Sequence, residues 1–214
     1  MSVRVFTQAG FSRSACFLWL LLLVPVPTLA GHGFMTAFAN IEWLPDPGRT
    51  PDSAWYRLDA WQEEARLWLA RSPEAKVQLC LAFAREKLAE LEAMVKAENA
   101  PAAETAADRY RVYVERAGQI VQSASDGAKP TDTAPLAEVI ANALLEHQYI
   151  LSVIYEEIPA DARAVVLQVI SMAQERYQPI TQLLPPKKKG ALFFKEEEVR
   201  WSIQMAMRAG EDNP

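Results

Sequence analysis

The sequence predicts an all-α protein: a bundle of four to five helices arranged as two antiparallel hairpins, with an N-terminal signal segment and a C-terminal accessory helix. Three observations carry this. Helix-start signals with proline near the first helical position recur at Thr50-Pro51, Ser72-Pro73 and Thr133-Ala134-Pro135. Apolar residues between these points return at steps of three and four, the period of a helix packed on one face. The breaks between stripes are short, which favours antiparallel neighbours.

The first thirty residues set the compartment. Arg4 and Arg13 precede an uncharged run from Ala15 to Val24, followed by Pro25, Pro27 and Thr28-Leu29-Ala30-Gly31. A positive start, an apolar core and small residues at a cut site are the parts of a secretory signal peptide. The prolines leave that site extended. Residues 1–30 are therefore expected to be a signal peptide and the protein to be exported, periplasmic or extracellular. The competing reading is an uncleaved anchor in the inner membrane, because no Asp, Glu, Lys or Arg occurs from Ser14 to Asn40. Cys16 precedes the apolar run instead of ending it, which argues against a lipoprotein.

Residues 31–50, broken by Gly31, Gly33, Pro45, Pro47 and Gly48, read as a stalk. The bundle is expected over 51–180. Thr50 is placed as N-cap of the first helix with Pro51 at its first position, and Trp55, Leu58, Trp61 or Gln62, Ala65 and Trp68 or Leu69 follow at helical spacing. The spacing predicts a core-facing helix that buries large rings; the alternative is an exposed platform for a ligand or partner. In the core reading Trp61→Ala would cost ~3–5 kcal/mol.

Ser72-Pro73-Glu74 opens the best-specified helix: a hydroxyl cap, proline, then an acid near the helix's positive end. Val77, Leu81, Ala84, Leu88, Leu91 and Val95 form a heptad-like stripe for shallow-angle packing. Lys76, Arg85, Glu86, Lys87, Glu90 and Glu92 are read as mostly lying on other faces, with Glu86–Glu90 a solvated flank. After a turn at Ala100-Pro101, a return helix from Ala102 to about Ser125 carries Ala106, Tyr110, Tyr113 or Val114, Ala117, Ile120 or Val121 and Ala124. Ser125 to Thr133 reads as a loop.

A second hairpin is expected from Thr133 to about Glu157 and from Pro159 to before Pro179. Leu136, Ala143, Leu144, His147 and Ile154 mark one stripe and Ala162, Val169 and Ala173 the other. The β-branched run Val165–Ile170 lacks period-two alternation, so a strand is rejected there. Residues 181–214 read as a basic linker around Lys187–Lys189 and a last helix over 195–208, with Val199, Ile203 and Ala206 inside and Trp201, Met205 and Met207 widening its apolar surface. Three lysines fall short of a polybasic membrane cluster.

Composition narrows the function classes. The chain carries 22 Lys+Arg against 27 Asp+Glu. Removal of residues 1–30 takes away two arginines and no acids, moving the net charge from −5 to −7. That balance argues against a nucleic-acid partner, whose phosphates need Lys and Arg. Half of the residues are apolar, so the chain is not disordered. Without residues 1–30, Cys80 is the single thiol and is expected to be packed as a small apolar side chain.

The sequence assigns no catalytic, cofactor-binding or metal-ligating residue. His32 falls in the stalk. His147 has Ala143, Leu144, Ile150 and Leu151 at three- and four-residue spacing, which is the setting of a packed, hydrogen-bonded histidine. There is no Glu-x-x-His, no zinc spacing, and no phosphate-loop or nucleophile-elbow motif. A non-enzyme is expected.

Two segments together resemble a known family. They are Leu44-Pro45-Asp46 and Pro51-Asp52-Ser53-Ala54-Trp55-Tyr56-Arg57-Leu58 through Ser72-Pro73-Glu74 to Phe83-Ala84-Arg85-Glu86-Lys87-Leu88-Ala89-Glu90, then His147-Gln148-Tyr149-Ile150-Leu151 with Ile158-Pro159-Ala160-Asp161. This pattern resembles the bacterial extracytoplasmic helical domain DUF5667 over roughly residues 44–178. Lys87 departs from it, standing where arginine is usual. The resemblance implies export and an all-α fold and brings no activity with it.

The function expected is a non-catalytic interaction or structural module of the cell envelope. It would act on a protein partner through a helix face, either the Trp55/Trp61/Trp68 surface or the Trp201/Met205 tail, and meet membrane only through an uncleaved N-terminus. The alternative is a periplasmic sensor or chaperone-like binder of unfolded protein or of metal, the latter through His147 or carboxylates such as Glu156 and Glu157.

Overall fold

The computed structural model describes residues 36–125 and 130–212. The signal segment, His32 and part of the expected 125–133 loop lie outside the described residues. Among the described residues there are six helices and no strand: α1 Tyr56–Leu69, α2 Pro73–Lys96, α3 Ala100–Ser125, α4 Pro130–Glu157, α5 Arg163–Gln182 and α6 Pro186–Asp212, with a single 3-10 turn at Ala160–Ala162 before α5.

α2 starts where its signal predicts, with Ser72 Oγ accepting from the Ala75 amide at 3.1 Å and Pro73 at the first position. Its stripe is buried at Val77, Ala84, Leu88, Leu91 and Val95 and packs against Ala106, Tyr110, Tyr113, Val114, Ala117 and Val121 of α3. Phe83 meets Tyr113 with ring centroids 5.3 Å apart. Burial of such side chains stabilises by about 1.5–3 kcal/mol each. α4 packs on both α5 and α6, while α3 also meets α4 and α5, and α2 meets α4.

The α2–α3 turn closes without glycine. Asn99 N donates to Met94 O at 2.9 Å and Glu98 N to Val95 O at 3.2 Å, the paired bonds of a Schellman cap. Glu98 holds the left-handed position at φ 55°. Asn99 then opens α3, its Oδ1 receiving the Ala102 amide at 3.4 Å, so α3 begins at Ala100 instead of after Pro101.

Four sequence expectations are corrected. α1 begins at Tyr56, because the Thr50 hydroxyl is directed to Asp52 and Ser53 N closes a turn on Thr50 O. Residues 36–44 are not a free stalk. Phe38 is buried and stacked on Tyr149 at 4.5 Å, Ala37 N donates to Glu198 at 2.6 Å, and Arg85 holds the Glu42 and Trp43 carbonyls. Lys187–Lys189 form no linker. The amides of Lys188 and Lys189 bond Pro185 O, so all three lysines sit in the first turn of α6, and Lys188 pairs with Glu138 at 2.9 Å. Pro135 and Pro179 lie inside α4 and α5, past the first turn of each, and each removes one ladder donor from a helix that continues through it.

A left-handed L-residue is strained by roughly 1–2 kcal/mol, part of which glycine returns in backbone entropy. Glu98→Gly is therefore expected to raise unfolding free energy by about 0.5–1 kcal/mol in urea titration. A loss of stability would show that the Glu98 side chain makes contacts that matter more than its backbone strain.

Candidate functional site

α1 presents the reverse of an ordinary amphipathic helix. At about 100° per residue, Leu58, Trp61, Ala65, Trp68 and Leu69 share an arc of about 100°. That arc faces solvent: Trp61 is 69% and Trp68 84% exposed, and Trp55, Leu58 and Leu69 are exposed as well. The core-facing reading of these tryptophans is thus corrected. The inward face carries Glu63 and Leu67, both buried.

The reason lies beneath Glu63. Lys87 and Glu90 of α2 are each 1% exposed. Lys87 Nζ lies 2.6 Å from Glu63 Oε1 and 2.6 Å from Glu90 Oε1. Tyr56 OH donates to Glu90 Oε2 at 3.0 Å. Arg109 Nη2 donates to Glu63 Oε2 at 2.9 Å, and the Tyr113 hydroxyl donates to the same oxygen. Arg116 adds a half-exposed pair to Glu64 at 2.8 Å. Glu90 is thus no solvated flank, which corrects the reading of Glu86–Glu90.

Burial pushes the Glu90 carboxyl up to about 7, against the pull of Lys87 and Tyr56. Burial acts to lower Lys87, but hydrogen bonds to Glu63 and Glu90 outweigh it and hold the ammonium above its ordinary value. The Lys87 charge is fixed, and the arrangement suits a structural clamp: its carboxylates are spent on Lys87, Arg109 and Tyr hydroxyls.

His147 sits between α3 and α4, its Nδ1 sharing a 3.1 Å hydrogen bond with Tyr110 OH. Burial, with the charge of Arg85, pushes it down to about 3. A cavity of about 160 Å³ adjoins it, lined also by Glu42, Arg85 and Glu146. Cys80 is fully buried and its thiol is pushed up to about 11 by burial, which makes it a poor nucleophile. Glu157 pairs with Lys96 at 3.5 Å, and both Glu156 and Glu157 are exposed. Among the described residues no three His, Cys, Asp or Glu side chains gather as a metal site.

Two further surfaces are present. An open groove of about 650 Å³ runs between α5 and α6 above α4, lined by Gln148, Gln174, Tyr177, Phe193, Glu196 and Arg200. On α6, Phe193, Phe194, Trp201, Met205 and Met207 are exposed, while Val199, Ile203 and Ala206 are buried as their spacing predicts.

Residues 48–161 match the model of a domain of unknown function (DUF5667), more than half of the chain and narrower at both ends than the stretch its motifs suggest. No curated protein and no solved structure matches the chain.

Two predictions follow the geometry of α1 and of the buried titratable groups. Trp68→Ala should move stability by no more than about 0.5 kcal/mol. Glu63→Ala, which strands Lys87 and Arg109, should cost about 3–5 kcal/mol in the same denaturation assay. Equal effects of the two would contradict the inverted placement of α1.

The second prediction concerns pH. The folded His147 stays neutral to about pH 3, whereas the unfolded imidazole protonates near 6.5; its contribution is complete above pH 6.5 and is lost as pH falls toward 3. Glu90 has the opposite sign. Its folded carboxyl protonates near 7 and the unfolded one near 4.5, so its contribution is complete below pH 4.5 and is lost as pH rises through 7. Urea midpoints from acid to neutral pH should show His147→Gln flattening the acid-side loss and Glu90→Gln flattening the loss toward neutrality. Superimposable profiles would refute both assignments.

Proposed function

This chain belongs to the DUF5667 family, and we propose that it works as a non-catalytic interaction module of the cell envelope, acting through the outward face of α1. The observation that carries the reading is the solvent-facing stripe of Trp61, Trp68, Leu58 and Leu69, with Trp55 at its start. Two exposed tryptophans on one short helix, with a third at its N-cap, forgo burial that elsewhere stabilises a fold, and apolar surface of this kind marks an interaction site. A clamp of buried charges holds the helix in that orientation, so the stripe is built in and is not a consequence of loose packing.

Export rests on the N-terminal sequence: Arg4 and Arg13, the run Ala15–Val24 and the small residues near Ala30. The architecture that fits the helix order is two antiparallel hairpins, α2–α3 and α4–α5, with α6 laid along α4 as an accessory and α1 covering α2. His147 is committed to Tyr110, and the carboxylates of the α1 clamp are committed to Lys87 and Arg109.

The test is site-directed photo-crosslinking in intact cells expressing the full chain. Leu69→p-benzoylphenylalanine keeps all three tryptophans and places the probe on the stripe; Val139→p-benzoylphenylalanine places it on exposed surface of α4. Adducts at position 69 and none at 139 are expected. Absence of adducts at 69, or the same adducts at both positions, would overturn the reading.

A further inference from the structure

The exposed stripe of α1 has a charge pattern of its own. The acids of the helix are all engaged: Asp59 lies 3.9 Å from Arg49, buried Glu63 meets Lys87 and Arg109, and Glu64, exposed on the Arg57 flank, is paired with Arg116 at 2.8 Å. Arg57 and Arg66 are exposed on opposite flanks of the tryptophan stripe, and Arg71 is exposed just past its C-terminal end. Among the described residues none of the three forms an ion pair; Arg66 exerts a long-range attraction on half-buried Glu86.

We propose that this face binds the headgroup–acyl boundary of an anionic lipid bilayer, with α1 lying in the plane of the membrane. The inference rests on α1 being the interaction face and names its partner. Tryptophan favours that boundary because its ring is mostly apolar and its indole N–H remains near water. A helix with Trp and Leu on one face and arginines at the edges is the pattern of an interfacial helix. The arginine stems can lie along the apolar layer while their guanidinium groups reach lipid phosphates.

The net charge of the whole chain does not oppose this. At physiological salt, charges beyond roughly 8–10 Å are screened, so the bilayer senses the local set: Arg57, Arg66 and Arg71, against exposed Glu74 and a Glu64 already paired with Arg116. A protein partner fits less well. The stripe is the outer side of a single helix lying against α2, and the α5–α6 groove and the His147 cavity are lined by none of its residues.

The full chain is tested by co-sedimentation with vesicles of phosphatidylcholine alone and of phosphatidylcholine mixed with phosphatidylglycerol. Comparison within one chain length cancels any contribution of residues 1–35. Three variants are compared: Trp61→Ser/Trp68→Ser, Arg57→Glu/Arg66→Glu/Arg71→Glu, and Arg57→Lys/Arg66→Lys/Arg71→Lys. All replace exposed residues, so their melting curves should match the parent's and report that each is folded.

The expected result is tighter binding of the parent to the mixed vesicles, lowered about tenfold or more by the serine pair and by the charge reversal. The lysine triple should bind as the parent does. Equal binding of parent, serine and glutamate variants to mixed vesicles would overturn the lipid assignment. If Leu69→p-benzoylphenylalanine still gives protein adducts in that case, the interaction face stands and its partner is a protein. If it gives none, both readings fail.

Discussion

The structure depends on one buried charge. Lys87 has no access to water, and an ammonium taken out of water costs several kcal/mol unless opposite charge and acceptors surround it. Its neighbour Leu88 belongs to the stripe that packs on α3, so α2 cannot rotate Lys87 to the surface without pulling that stripe out of the core. The compensation has to come to the lysine. Glu90 supplies one carboxylate from the next turn and Glu63 brings the other from α1, while Arg109 and Tyr113 satisfy the second oxygen of Glu63. Five consecutive α2 residues, Lys87 to Leu91, are buried. A helix buried on all sides at one level must be covered on all sides, and α1 is the cover on the side away from the bundle.

The outward tryptophans follow from this. Because the residue turned inward is Glu63, the apolar arc opposite it is turned to solvent. Transfer energies alone would favour the reverse rotation, since large rings gain more from burial than a carboxylate does. Once Lys87 is fixed, that rotation would replace a paired carboxylate by rings and strand the ammonium. The orientation is therefore set by the most expensive group to leave unpaired, and the apolar face is the remainder. Local rules broken in this way, with the structure compensating elsewhere, are characteristic of working surfaces.

Much of the bundle was legible in the sequence. The Ser72-Pro73 start, the Val77–Val95 stripe, the α3 stripe and the inner face of α6 all lie where periodicity puts them, because packing between long helices is what a 3.6-residue period encodes. The packed, bonded state of His147 was legible from the apolar residues on its own face, and the burial of Cys80 from the apolar character of a free thiol. Periodicity in α1 locates an apolar face and does not tell which way it points; most such faces are cores, and the exposed alternative is the one this helix adopts. The missing signal was Lys87-x-x-Glu90 inside a heptad stripe, two charges that a surface reading cannot place next to Leu88 and Leu91. The docking of residues 36–44 and the helical start at Pro186 were illegible for another reason. Each depends on partners far along the chain, Glu198 and Tyr149 for the first and Glu138 for the second.

The family match covers only part of the buried core. It takes in α1 to α4 and stops at Asp161, in the 3-10 turn ahead of α5. Yet Val166, Val169, Ile170, Ala173, Tyr177 and Ile180 of α5 belong to the same buried cluster as α3 and α4, and Leu192, Val199 and Ile203 of α6 seal the other side of α4. Without those two helices the apolar faces of α3 and α4 would lie open to water, so the cooperative unit is larger than the part that matches the family. What the matched part does contain whole is the clamp: Tyr56, Glu63, Lys87, Glu90, Arg109 and Tyr113 all fall within it. Core closure is thus supplied from outside the matched region, while the device that turns the tryptophans outward is complete within it. The proposed role of the outward face of α1 therefore rests on a device that the matched region holds entire, whereas the stability of the bundle draws on helices beyond it.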